Sequence, residues 1–210
     1  MTDTVFDAKF WDERYRQHEH AIWSGEPNQR LVEEATDLEP GSALDVGCGE
    51  GGDAIWLAER GWSVTGVDIS GVALERARAA AVESHVADRI EWEQADLLDW
   101  TPRAAYYELV SVHFMHVPKA PREAIFGKLA AAVKPRGALL IVGHHPSDLE
   151  TSVRRPPLPE LFYTASDVAA LLEPGTWDII ASDSRKRSAQ DADGKTVPIH
   201  DAVLHARRRG

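Results

Sequence analysis

One cysteine, Cys48, is all the thiol chemistry the 210 residues contain. That excludes an internal disulfide and a site built from several thiolates, and it fits a reducing compartment. Positive charge is short as well: 23 Lys and Arg against 34 Asp and Glu give a formal net charge of −11, which opposes the phosphate neutralisation a nucleic-acid reader must supply. Nucleic acid is not expected as a partner. Long apolar runs are missing too. Nothing approaches the roughly 18 uninterrupted apolar residues of a membrane span, and the opening MTDTVFDAKFWDERYRQ carries charge throughout without an apolar leader core. The chain therefore reads as soluble and cytoplasmic, with no membrane partner. No internal repeat or compositional break marks a second domain. What is present is ordinary globular composition, 43% hydrophobic and 27% charged, enough for one domain with a sizeable core.

From Ala43 onward strand signals alternate with helix signals, the pattern of helices packed on both faces of a mostly parallel sheet. ALDV (43–46), SVTGVD (63–68), RIEWEQADL (89–97), ELVSVHF (108–114) and ALLIVG (138–143) read as strands. AIWLAER reads as a helix stopped by Gly61, and Ser70 as the cap of GVALERARAAAVES. Pro121 opens REAIFGKLAAAV, and KPRG (134–137) reads as a turn. HHPSDLETSVRRPPLPEL (144–161) holds four prolines and little periodicity, so a long surface loop is expected there. Thr164 with Asp167 gives a box-like start to the helix SDVAALLE. The segments 177–189 and 196–208 read as an antiparallel hairpin turning at Asp193 and Gly194.

The stretch ALDVGCGEGGDAIWLAERGWSVTGVDIS contains Gly47, Gly49 and Gly52 at the GxGxxG spacing, and Asp68 follows at the distance of a dinucleotide fingerprint. Glycine there lets backbone approach a ligand closely. Yet Asp45 and Glu50 would stand beside a pyrophosphate seated on the helix N-terminus, where an anion belongs. A ligand whose corresponding end is a protonated amine would be helped by Asp45 instead. S-adenosylmethionine has such an end, and a cationic sulfonium besides.

ALDVGCGEGG resembles the first motif of class I S-adenosylmethionine-dependent methyltransferases. The resemblance implies a Rossmann-like, doubly wound α/β fold: a seven-stranded, mostly parallel sheet with its last strand antiparallel and helices on both faces. It implies S-adenosylmethionine as cofactor and S-adenosylhomocysteine as product. Asp45, Gly47, Cys48, Gly49 and Gly52 would form the loop end of the cofactor site. Asp68 would accept from the ribose hydroxyls with Ile69 on the adenine, and Asp96 would accept from the adenine amino group with Leu97 beside the ring. Glu108 stands where many members carry a strand-four acid. WDERY followed by WSGEPN, and the terminal helix and hairpin, resemble the small-molecule methyltransferases of the tellurite-resistance and thiopurine types. On that likeness the chain divides into a cover segment (1–36), a cofactor-binding core (43–145), a Pro-rich substrate-side loop (146–163) and a terminal helix and hairpin (164–210) of one domain.

In-line methyl transfer gains most from holding the nucleophile in geometry. A hydroxyl or amine acceptor also gains from a base. His113 and His116 after the fourth strand, and His144 and His145 after the fifth, are the candidates for base or substrate contact; His113 is also placed near the cofactor's methionine end. The same pairs raise the question of a metal, but they stand on separate strand ends and no metal is expected. Cys48 reads as a buried loop residue. Phe6, Phe10 and Tyr15 recur near helical spacing with Trp11 and Trp23 beside them. They form either a packed stripe or an aromatic lid, with Trp11, Tyr15 and Trp23 facing the cofactor. Arg154 and Arg155 offer bidentate contacts to an anion, or are solvated loop charges. The partner expected is a small-molecule acceptor such as a thiol, chalcogen oxyanion or phenol, taken by a monomer or homodimer. Two other readings stand beside it: a nicotinamide-dependent oxidoreductase, and a non-catalytic S-adenosylmethionine-binding module.

Overall fold

The computed structural model of the chain describes residues 6–18, 25–156 and 158–210. Its strands are β1 (Ser42–Val46), β2 (Ser63–Asp68), β3 (Ile90–Gln94), β4 (Tyr107–His113), β5 (Val133–His144), β6 (Trp177–Gln190) and β7 (Thr196–Arg208). Its helices are α1 (Ala8–Arg16), α2 (Gln29–Ala35), α3 (Gly52–Glu59), α4 (Gly71–Glu83), α5 (Lys119–Ala132) and α6 (Ala165–Ala169). The strands form one sheet in the order β3-β2-β1-β4-β5-β7-β6. All ladders are parallel except the two made by β7. The sheet expected from the sequence is thus the one observed. No described helix is long and apolar enough to cross a membrane.

The central strands are apolar on both faces because each face is covered. Val110, Val112, Leu139 and Ile141 point into a cluster with Ile125, Phe126 and Leu129 of α5 and Val168 of α6. Their neighbours Leu109, Leu140 and Val142 point the other way, toward Leu31 of α2 and Trp56 and Leu57 of α3. The period-2 alternation of strand side chains feeds both clusters at once.

Four expectations shift in detail. β3 ends at Gln94, so Ala95 to Leu97 leave the sheet; Asp96 turns the chain by accepting from Leu98 N at 2.9 Å. KPRG lies within β5 as a bulge: Tyr107 pairs with Val133 and Leu109 already with Ala138, and Arg136 takes φ +66°. α5 starts at Lys119, with Pro121 inside a first turn whose N–H groups are unpaired in any helix. α6 is shorter than SDVAALLE, although the Thr164 and Asp167 capping box forms as expected. The Pro-rich loop carries two short 3-10 turns. Its far end is held by buried Arg122, which donates to Glu160 O at 2.6 Å and to Val117 O at 3.1 Å.

Glu108 belongs to the frame and not to the ligand end of the sheet. It stands at the amino end of β4, accepting from Ser42 N at 2.7 Å and from the Ser42 hydroxyl, and it pairs with Lys134. Partial burial pushes its pKa up, but the Lys134 ammonium and the Ser42 donors outweigh that and bring it to about 2. A carboxylate depressed in the fold stabilises above its unfolded pKa, and that contribution is lost as pH falls toward the folded value. Between roughly pH 4.5 and pH 2, therefore, wild type should lose more stability than Glu108→Gln. Denaturant midpoints of both proteins across that range check it; parallel curves would contradict it.

Candidate functional site

The carboxyl ends of β1, β2 and β4 meet at the glycine loop, where ligands of open α/β sheets are bound. Gly47 and Gly49 take φ +69° and +52°, and Gly47 N and Cys48 N both donate to Val67 O, at 2.8 and 3.1 Å. The third left-handed position is Gly51 (φ +87°) and not Gly52. A Cβ on Gly51 would stand 2.7 Å from the Trp92 indole. Gly52 begins α3, and the chain at Gly25 and Glu26 crosses so closely that a Cβ there would meet their carbonyls at 3.0 and 3.1 Å.

Asp68 ends β2 and accepts from Gly49 N and Ser70 N, each at 2.8 Å. Burial raises its pKa against the pull of those two donors. Asp45 is deeper, and its Oδ2 has no hydrogen-bond partner among the described residues. Burial, then the charges of Asp53 and Asp68, raise its pKa well above the usual carboxylate range, and the Ala54 N–H opposes this. Asp53 Oδ2 lies 2.8 Å from His113 Nδ1 but off the line of a hydrogen bond, so both His113 ring nitrogens are buried without a hydrogen-bond partner among the described residues. One ligand atom each from Asp45, Asp53 and His113 falls within 4.8 Å of the others. Such a set suits a cation. Asp53 is absent from the sequence reading; its one signal is its place in the first turn of the helix after the glycines. The Cys48 thiol is pushed well up by burial and by the Asp45 and Asp68 charges, as befits a packed loop residue.

A cleft of about 540 Å³ opens between the start of α1 at Asp7 to Lys9 and the strand ends at Ile69 and Gln94 to Asp96. Ile69 and Asp96 therefore share one cavity. Leu97 does not line it and packs instead on the core beside α5. α1 is tied down over α4, because Asp12 Oδ1 accepts from Ser70 Oγ at 2.6 Å and Arg76 donates to Tyr15 O at 2.9 Å. Tyr15 is buried with its hydroxyl against Gly49. Trp23 lies outside the described residues.

The four histidines separate. His113 joins the acids just described. His116 and His144 come together, ring centres 6.0 Å apart, with Trp11 5.7 Å and Phe6 6.0 Å from His116. His144 stacks on Phe114 at 4.5 Å and lies 6.0 Å from Phe162. Trp11 is thus placed with His116. His145 turns to Ser147 Oγ at 2.9 Å, beside His200, and does not join the cluster. Burial, then Arg155, His116 and Arg187, hold the His144 pKa down at about 2; burial, Arg14 and Arg155 lower that of His116. Arg154 is exposed, whereas Arg155 pairs with fully buried Asp148 at 2.9 Å. Phe114, Phe162 and Asp148 carry no signal of their own in the sequence, and Arg187, within an RKR run that reads as an exposed strand face, is half-buried. No local spacing links them.

Residues 43–137 match a family described as methyltransferase domain. Trans-aconitate 2-methyltransferase of Rhizobium meliloti (strain 1021) is 30% identical over 137 residues, 64% of this chain and 46% of that protein. The 27-O-demethylrifamycin SV methyltransferase of Amycolatopsis mediterranei (strain S699) is 30% identical over 159 residues, 70% of this chain and 55% of that protein. The chain spans about half the length of these curated relatives. A solved structure described as "Conversion of a Disulfide Bond into a Thioacetal Group during Echinomycin Biosynthesis" superposes with a TM-score of 0.75 at 23% identity, covering 96% of this chain and 92% of that one. That likeness concerns the fold.

Proposed function

We propose that this chain, whose residues 43–137 match a methyltransferase-domain family, is a class I enzyme that transfers a methyl group from S-adenosylmethionine to a small-molecule acceptor. The observation that carries the reading is the buried Asp45 carboxyl, whose Oδ2 has no hydrogen-bond partner among the described residues, set with Asp53 and His113 within 4.8 Å at the end of the glycine loop. Buried polar groups without partners are costly. A cationic ammonium at this place relieves that cost and allows Asp45 to ionise, whereas a pyrophosphate would meet two carboxylates. The donor set therefore fits the amino-acid end of S-adenosylmethionine and argues against a dinucleotide.

In this reading Asp45, with Asp53 and His113, holds the ammonium. Gly47 and Gly49 admit the ligand close to backbone, with Cys48 and Gly52 closing the loop around it. Asp68 holds the ribose, and Ile69 and Asp96 the adenine in the cleft. Tyr15 closes the loop end from above. The cofactor brings an electrophilic methyl group on a sulfonium. The protein's part is to exclude water with α1 and to present an acceptor at the wall of Trp11, Phe114, His116 and His144.

Parallel calorimetric titrations with S-adenosylmethionine, S-adenosylhomocysteine and NADH test the reading. Saturable binding of the first two and none of the third is the expected result. Binding of NADH alone would return the site to the oxidoreductases.

A further inference from the structure

The acceptor end holds two guanidinium groups fixed by buried carboxylates. In a chain of formal net charge −11, Arg187 borders the wall of Phe114, His116 and His144 at Phe114, and the charge of Arg155 acts on both His116 and His144. Arg187 stands with Cζ 5.4 Å from the Phe114 ring centre. Its Nε donates to Asp201 Oδ1 at 2.7 Å, and Asp201 lies directly across from His144 in the β5–β7 register. Arg155 donates through Nη2 to Asp148 Oδ2, while Asp148 Oδ1 accepts from His200 N at 2.8 Å. Each arginine is therefore fixed by a carboxylate that is itself buried. Buried ion pairs add little net stability but fix direction. They aim the remaining donors.

Two buried atoms here have no hydrogen-bond partner among the described residues: Arg155 Nε and His144 Nδ1. An N–H donor held at a charged guanidinium calls for an acceptor, and an anionic one is strongest. The His144 imidazole, enclosed between Phe114 and Phe162, is poorly suited to act as a base. Burial and the neighbouring Arg155 and Arg187 hold His144 at about 2, and so weak a base gives little drive for taking a proton from an alcohol, phenol or ammonium. A nucleophile that arrives already deprotonated needs no base here. Carboxylic acids, with ordinary pKa near 4, do so at neutral pH, while thiols near 8.5 and phenols near 10 are mostly protonated.

The geometry points to a carboxylate acceptor, one oxygen held by Arg155 Nε and the other methylated, with its carbon skeleton on the aromatic wall of Phe114, His116 and His144. The inference rests on the methyl-transfer reading above. In the step, a lone pair of the free carboxylate oxygen forms the O–CH3 bond as the S–CH3 bond breaks and its electron pair returns to sulfur. A carboxylate and a sulfonium become a neutral ester and a neutral thioether. No proton moves, so none of the histidines acts as a base.

The test is calorimetric titration of the protein saturated with S-adenosylhomocysteine, using benzoate, cinnamate and hexanoate and their matching carboxamides. At least one carboxylate should bind ten times or more tighter than its amide. Arg155→Lys, which keeps a charge for Asp148 but lacks the fork, and Arg155→Met should each weaken carboxylate binding about tenfold to a hundredfold. Neither should change amide binding or affinity for S-adenosylhomocysteine, which also reports that the variants are folded. The ester product should form at a rate independent of pH across the neutral range. Amides binding as tightly as carboxylates, no carboxylate binding, or carboxylate binding indifferent to both variants would overturn the inference. Failure of wild type to bind S-adenosylhomocysteine would instead overturn the cofactor reading.

Discussion

Asp201→Ala should destabilise the protein by about 3 kcal/mol, seen as a fall of roughly 6–12 °C in melting temperature. Asp201 is buried on β7 and divides its two oxygens between Arg30 Nε at 3.2 Å and Arg187 Nε at 2.7 Å. Removing one partner of a buried pair leaves a charge out of water without compensation, usually at a cost of about 3–5 kcal/mol. The lower end applies because Arg30 keeps Glu33 at 2.8 Å, and Arg187 is 30% exposed and can turn to solvent. Arg30 belongs to α2 and Arg187 to β6, so the loss loosens the joint between the front of the chain and the terminal hairpin. Urea midpoints and thermal melts measure it. A destabilisation below about 1 kcal/mol would show that these arginines are not held by Asp201 in solution.

The second large effect is on the cofactor. Asp68→Ala should weaken S-adenosylmethionine binding about tenfold to a hundredfold, the consequence of losing charge-assisted hydrogen bonds of about 1.5–3 kcal/mol. Part of the effect precedes the ligand, because Asp68 fixes Gly49 N on one oxygen and Ser70 N on the other. Those two bonds tie the glycine loop to the end of β2. Asp68→Asn keeps one acceptor oxygen and should fall between wild type and alanine. Calorimetry on the three proteins decides it: an alanine variant binding as tightly as wild type would remove Asp68 from the site.

Much of the frame was legible because it is written in neighbouring residues. The capping box at Thr164 and Asp167 is an affair of four residues, and Gly194 turns the hairpin through its own φ of +76°. Errors fell where a local signal met a distant partner. RIEWEQADL keeps strand character past Gln94, but its partner β2 ends at Asp68, opposite Gln94, and the ladder has nothing to continue against. KPRG has turn chemistry, yet β4 pairs on both sides of it, at Val133 and Ala138, and so keeps it in the sheet as a bulge. Pro121 reads as a helix opening, and the helix starts two residues earlier because a first turn needs no N–H there.

The site shows the same division. Gly47, Gly49, Asp45 and Asp68 could be read from one strand-loop-helix-strand stretch, since the loop's positive φ angles and its acids lie within a single unit. The pairing of Asp53 with His113, of Arg155 with Asp148 and of Arg187 with Asp201, and the parting of His145 from His144, could not. By itself the sequence determined the alternation of strands and helices, the glycine loop and the end of the sheet where that loop stands, because periodicity and backbone preference act over a few residues. Only the tertiary structure decided that Glu108 serves the far end of the sheet, which histidines face one another, and which buried carboxylates hold Arg155 and Arg187. Those outcomes depend on strand order, register and burial, which bring together side chains that no local rule connects.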